Sequence, residues 1–202
     1  QRPYVILKWA QTSDGFMDRS RTYGEKGQFT ISGSTAANLV HRWRADAGAV
    51  MVGRVTAEND DPQLNVRHVD GPQPIRIVWD NELKLNHALK LFSSDGKLIV
   101  LNLRKDESKG NITWLRLHSG KNEILKTMNK LYETGVHSIL VEGGSETLHR
   151  IIEAGIWDEA RVFTSRIKIN SGLLAPDMKS TPSQSLRAGK DVLQYFHPTK
   201  VI

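Results

Sequence analysis

Ser138-Ile139-Leu140-Val141-Glu142-Gly143-Gly144-Ser145-Glu146-Thr147-Leu148 is the stretch that decides how this chain folds. Residues 138–141 form a short apolar run of the kind a buried strand needs, and two glycines end it. A helical repeat starts at once, with Leu148, Ile151 and Ile152 on one face of residues 145–154. A strand that turns tightly into a helix is half of a βαβ unit, the building block of parallel sheets. Glycine also lets backbone approach a ligand closely. The free N–H groups and the dipole at a helix start favour a phosphate. A tight strand-to-helix turn needs glycine with or without a ligand, so both readings of Gly143-Gly144 stand at this point.

The alternation extends outward from there. Residues 4–10, Tyr4-Val5-Ile6-Leu7-Lys8-Trp9-Ala10, read as a buried strand closed by an Asp14-Gly15 turn. Residues 16–32 are polar and without period, so a loop is expected there, of a length that is usually functional. Ser34 is placed to cap a helix running to Asp46, with Ala36, Leu39, Val40, Trp43 and Ala47 at helical spacing. Residues 48–53 make a second buried strand, and a short helix starts near Arg54 and breaks at Asp60-Asp61-Pro62. Further strands are expected at 75–79, 98–101, 112–115, 160–169 and 192–196. A helix is expected at 122–134, with Gly135 as its C-terminal cap. The pattern is that of one α/β domain over residues 1–202: three layers, with a mostly parallel central sheet and helices on both faces.

Composition narrows the function. At 202 residues, with 39% hydrophobic and 25% charged, the chain can bury one good core and is not built for disorder. No apolar run approaches the roughly 18 residues of a membrane span, and Gln1-Arg2-Pro3-Tyr4 is no signal peptide. The absence of cysteine excludes disulfides and thiolate zinc sites and suits the cytoplasm. The seven histidines stand singly, without His-x-x-x-His spacing, so no metal is expected. The net charge of +6 suits an anionic ligand. Lys and Arg are dispersed, whereas a nucleic-acid binder carries a basic stripe, so no nucleic-acid partner is expected. The first residue is not Met, which suggests a processed chain or a piece excised from a longer one.

Gly53-Arg54-Val55-Thr56 repeats the strand–glycine–helix geometry, now with Arg and Thr at the helix start. Arg pairs bidentately with phosphate, and two such turns suit a dinucleotide with an extra ribose phosphate. For Arg54 alone, a surface arginine beside a cap is the simpler reading. Asp60-Asp61-Pro62-Gln63-Leu64-Asn65-Val66-Arg67 could bind a polyol through its acids and a phosphate through Arg67, or be a solvated loop. Glu142 ends a buried strand, where open α/β sheets bind ligands, and needs a partner or a job. Lys8 lies inside the first apolar strand. It either snorkels to the surface or reaches into a cavity.

Arg2-Pro3-Tyr4-Val5, Lys8-Trp9-Ala10, Ser13-Asp14-Gly15, Arg44-Ala45-Asp46-Ala47, Val52-Gly53-Arg54-Val55-Thr56, the segment 60–67 and Val141-Glu142-Gly143-Gly144-Ser145 together resemble the reductase domain of riboflavin biosynthesis. In bacteria that domain is usually the C-terminal half of a deaminase–reductase, and its fold is similar to that of dihydrofolate reductases. The resemblance implies an NADPH site at Ala10, Thr30, Gly53, Arg54, Thr56, Asp60, Gly143, Gly144, Ser145, Glu146, Thr147 and Leu148, with Arg54 at the 2′-phosphate. It implies a substrate site at Gln28, Arg44, Leu64, Arg67 and Glu142, with Arg44 and Arg67 suited to the phosphate. Lys8 and Asp14 would stand at the reacting end. The implied reaction is NADPH-dependent reduction of 5-amino-6-(5-phosphoribosylamino)uracil to its ribityl form, by a homodimer joined to a deaminase in the parent chain. Thr30-Ile31-Ser32 departs from the family's Trp-Ile-Thr and removes an aromatic wall.

Three other functions remain to be weighed: a reductase acting before deamination, another dihydrofolate-reductase-like oxidoreductase, and a basic nucleic-acid module. The acidic Asn59-Asp60-Asp61 would repel a nucleic-acid backbone.

Overall fold

The computed structural model describes residues 1–22, 25–93 and 96–198. Its centre is seven parallel strands. In spatial order they are β9 (Glu159–Thr164), β1 (Tyr4–Gln11), β8 (Ser138–Val141), β3 (Ala49–Gly53), β4 (Ile75–Trp79), β5 (Leu98–Asn102) and β7 (Ile112–Arg116). Antiparallel strands close the edges: β12 (Asp191–Phe196) and β11 (Gln184–Ala188) beyond β9, and β6 (Glu107–Lys109) beyond β7. The inner strands are buried on both faces, which is why β3 and β5 read as unbroken apolar runs rather than alternating ones.

Two apolar clusters fill the two sides of the sheet, so the three expected layers are present. On one side α4 (Glu123–Glu133) and α5 (Ser145–Glu153) bury Ile124, Met128, Leu131, Leu148 and Ile151 against β1, β8 and β3. On the other, α1 (Ser34–Asp46) buries Ala36, Val40 and Trp43, and α2 (Arg54–Asp60) and α3 (Lys90–Ser93) bury Ala57 and Leu91. Each such large apolar side chain contributes about 1.5–3 kcal/mol on burial.

Four local expectations are corrected. Residues 16–32 are not all loop: β2 (Phe16–Arg19) pairs antiparallel with β10 (Gly172–Leu174). The pairing partner lies over 150 residues away, and a Cβ at Gly172 would meet Asp18 O at 2.1 Å, so only glycine admits the contact. Positions 23 and 24 of that expected loop fall outside the described residues. Ser34 does not cap α1. Gly33 holds the cap position, and its N–H donates to Asp191 Oδ2 at 2.8 Å. The strand expected at 160–169 stops at Thr164, where its neighbour β1 ends at Gln11; beyond it only single backbone bonds reach across, from Ser165 N to Gln11 O and from Ser13 N to Ile167 O, both at 2.9 Å. The edge strands β6 and β11 were not expected. They are short hairpin returns at Gly110 and Gly189, both with positive φ.

Candidate active site

A cavity of about 550 Å³ opens at the C-terminal ends of β1, β3, β4 and β8. The chain reaches β8 late and inserts it between β1 and β3. Residues 8, 53 and 142, far apart in sequence, therefore become neighbours at one end of the sheet.

One wall is backbone. Gly143 and Gly144 have φ of 110° and 68°, so the turn between β8 and α5 needs glycine. The starts of α5 and α2 pack against each other. A Cβ at Gly53 would lie 2.5 Å from Thr147 Oγ1, and one at Gly144 would lie 3.0 Å from Thr56 Oγ1. Each glycine thus makes room for the other helix's threonine. Neither helix has a side-chain N-cap, which leaves their first-turn N–H groups for another acceptor. Arg54 Nη1 donates to Glu58 Oε2 at 2.6 Å on the same helix.

A second wall is charge. Arg44 reaches across from α1, its Nε donating to Glu142 Oε1 at 2.5 Å and Nη2 to Oε2 at 2.8 Å, while Nη1 donates to Asn65 O at 3.0 Å. Burial pushes the Glu142 carboxyl up, but Arg44, then Lys8 and His41, hold it below the usual carboxylate value. Burial lowers the Lys8 amine, with Glu142 pulling it up and Arg44 pushing it down. Nearer the mouth, burial raises the Asp60 carboxyl against Arg21, which also donates to Asp18 Oδ2 at 2.6 Å.

Most of the residues singled out from sequence line this cavity: Lys8, Ala10, Gln28, Thr30, Gly53, Arg54, Thr56, Asp60, Glu142, Gly144, Ser145, Glu146 and Thr147. Six do not. Gly143 belongs to the turn but not to the lining. Leu148 and Leu64 are core side chains, 0% and 1% exposed. Arg44 acts on the cavity through Glu142, and Arg67 stands exposed outside the lining, donating to Gln63 Oε1 at 3.2 Å. Asp14 is a turn anchor: its Oδ2 accepts from Ile169 N and Asn170 N at 3.1 and 2.8 Å. The Thr12 hydroxyl, with these amides, keeps its pKa low.

Other lining residues were not foreseen. Trp79 ends β4 and Asn81 follows it, the two joined by a 2.8 Å bond from Nε1 to Oδ1, and the Arg150 guanidinium lies 4.6 Å above the Trp79 ring. The signal available was position alone, since β4 ends at the same sheet edge as β3. Met17, Asp18 and Arg21 arrive through β2, whose partner strand is distant in sequence. Phe29 provides an aromatic surface one residue before the Thr30 that replaces the family's Trp.

A family model described as the RibD C-terminal domain matches residues 3–167. The riboflavin biosynthesis protein RibD of Aquifex aeolicus is 32% identical over 185 residues, covering 88% of this chain and 50% of that protein. The 2,5-diamino-6-ribosylamino-4(3H)-pyrimidinone 5′-phosphate reductase of Methanothermobacter thermautotrophicus is 28% identical, covering 80% and 76%. The chain spans about half the length of the RibD relatives it matches. Among solved structures, RibD from Acinetobacter baumannii superposes with a TM-score of 0.80 at 24% identity, over 98% of this chain and 59% of that one. Dihydrofolate reductase from Enterococcus faecalis, complexed with NADP(H), gives 0.56 at 14% identity over 96% and 95%, a likeness of fold.

Proposed function

The chain belongs to the RibD C-terminal domain family, and from that premise we propose that it is the NADPH-dependent reductase of riboflavin biosynthesis, acting on 5-amino-6-(5-phosphoribosylamino)uracil. The observation that carries the reading is one cavity with two unlike walls: paired, uncapped helix starts and a half-buried Lys8–Glu142–Arg44 cluster.

The backbone wall suits a pyrophosphate, because first-turn N–H groups and two helix dipoles offer fixed partial positive charge without a desolvated cation. Thr56, Asp60 and Gly144, with Ser145, Glu146 and Thr147, would hold NADPH, and Arg54 would leave Glu58 for the 2′-phosphate. Bound there, the cofactor supplies hydride for C1′ of the opened ribose. The protein's own work is positioning and the handling of a proton.

Glu142, held ionised and aimed by Arg44, would accept from donor groups of the pyrimidine or sugar. Lys8, its amine lowered by burial, would deliver a proton to the substrate as hydride arrives. Gln28 lines the same space, and Arg67 would meet the phosphate at its edge. Asp14 and Leu64 would act indirectly, by holding the turns that bear these groups.

We place the enzyme in the cytoplasm, as a homodimer whose parent chain also carries a deaminase. The sheet's β11 edge leaves Leu186 exposed, whereas the opposite edge β6 is short and bears Glu107 and Lys109, which discourage pairing. A second reading, reduction before deamination, is favoured by the name of the Methanothermobacter relative.

The test is NADPH oxidation followed by absorbance with each of the two pyrimidines. Turnover on the uracil form is expected. Turnover confined to the diamino form would establish the second reading, and none on either would remove the assignment.

A further inference from the structure

Residues 65–67 belong to no strand or helix, yet side chains hold their backbone on both sides. Arg44 Nη1 donates to Asn65 O at 3.0 Å, and Arg67 N–H donates to His41 Nδ1 at 3.2 Å. Between them Gln73 takes both polar groups of Val66: its Oε1 accepts from Val66 N at 2.9 Å, and its Nε2 donates to Val66 O at 3.0 Å. Odd positions face α1 and the even one faces Gln73, the alternation of an extended chain. His41 and Arg44, one turn apart on α1, clasp positions two residues apart. Just before them Leu64 is buried at φ 53°, a conformation that persists for a bulky residue only where its surroundings over-determine it.

His41 is 5% exposed, and to accept from an amide at Nδ1 it must be neutral with its proton on Nε2. The groups facing it are Arg44, His68, Arg67 and Glu142, with the His68 ring edge-on at 4.4 Å. Burial, then Arg44, His68 and Arg67, hold its pKa at about 4, against the pull of Glu142. The ring is therefore a permanent acceptor at neutral pH. Arg44 already spends three donors on Glu142 and Asn65, whereas the Arg67 guanidinium makes one hydrogen bond among the described residues, to Gln63.

We propose that His41 is a positioning residue for the phosphate end of the site: by accepting the Arg67 N–H it fixes residues 65–67 against α1 and sets where the Arg67 guanidinium meets a phosphoryl group. This rests on the assignment of Arg67 to the substrate phosphate.

Ribose 5-phosphate is the probe, with ribose as control, titrated into wild type, His41→Asn, His41→Leu and Arg67→Ala, with NADPH affinity and Tm measured alongside. Asn keeps an oxygen acceptor where Nδ1 stood, and Leu removes it. His41→Leu is expected to weaken ribose 5-phosphate about tenfold, and His41→Asn to stay within about twofold, with NADPH affinity unchanged in both. The Arg67 amide resonance should move in His41→Leu and hold in His41→Asn. Equal losses in the two His41 variants, in step with Tm, would reduce His41 to packing and overturn the proposal. Unchanged binding in Arg67→Ala would sink the phosphate assignment and this proposal with it. A loss in Arg67→Ala with none in His41→Leu would overturn the role of His41 alone.

Discussion

The two walls of the cavity offer polar groups to its interior by opposite means. The wall made by α2 and α5 uses backbone N–H groups at two helix starts, with glycines that let the helices close on each other's threonines. The wall made by Lys8, Arg44 and Glu142 uses side-chain charges taken out of water and held by one another. Backbone dipoles carry no net charge to desolvate, so the first wall is sensitive to shape. Buried ions fail when a partner is removed, so the second is sensitive to charge.

The largest effect should come from breaking the charged wall. Glu142→Ala leaves Arg44 and Lys8 buried without their anion and should cost about 3–5 kcal/mol in denaturant unfolding. The pH dependence has a definite sign. The folded pKa of Glu142 lies below its usual 4.5, so its contribution is present above that value and is lost as pH falls through the folded pKa. Glu142→Gln should lack that acid-side loss, and an unchanged acid limb would detach Glu142 from the stability of the fold.

On the backbone wall, Gly53→Ala should cost about 1–3 kcal/mol by overpacking. Gly53 has φ of −82°, which alanine tolerates, so the 2.5 Å approach to Thr147 Oγ1 is the whole cause. The double variant Gly53→Ala/Thr147→Ala should recover much of the loss. Simple additivity of the two would mean that the helices do not interlock there.

Arg54→Ala separates folding from binding. Its pair with Glu58 is partly exposed, so stability should change by less than about 1 kcal/mol. NADPH affinity should fall by about 1–3 kcal/mol while NADH affinity stays put. Equal losses for both cofactors would take Arg54 away from the 2′-phosphate.

The smallest change in stability is expected for Lys8→Met, which removes a desolvated ammonium while Arg44 still neutralises Glu142. Unfolding free energy should stay within about 1 kcal/mol of wild type or rise, with turnover lost. Retained turnover would mean that another donor, such as water, supplies the proton.

The two walls also differ in how much of them was legible in the sequence. Gly143-Gly144 and Gly53-Arg54-Val55-Thr56 announce themselves locally, because strand, turn and helix start are consecutive. What sequence could not say is why both turns need glycine, since Thr147 and Thr56 come from the opposite helix. On the charged wall Lys8 and Glu142 were visible as ionisable groups in apolar runs, but Arg44, the ion-pair partner of Glu142, was assigned to a phosphate instead. Its bidentate grip on Glu142 spans 98 positions, a distance over which no periodicity carries. Asp14 and Leu64 matched the family's pattern, yet one anchors a turn and the other fills the core.

By itself the sequence determined the alternation of strands and helices, the parallel sheet and the glycine turns, because burial on both faces and helix periodicity are written in consecutive residues. The tertiary structure alone decided which strand lies beside which. It placed β8 between β1 and β3, β2 against β10, and His41 under Arg67. Those contacts depend on loop closures of up to 150 residues or more, whose entropy is recovered only when the whole sheet forms, and no local pattern encodes them.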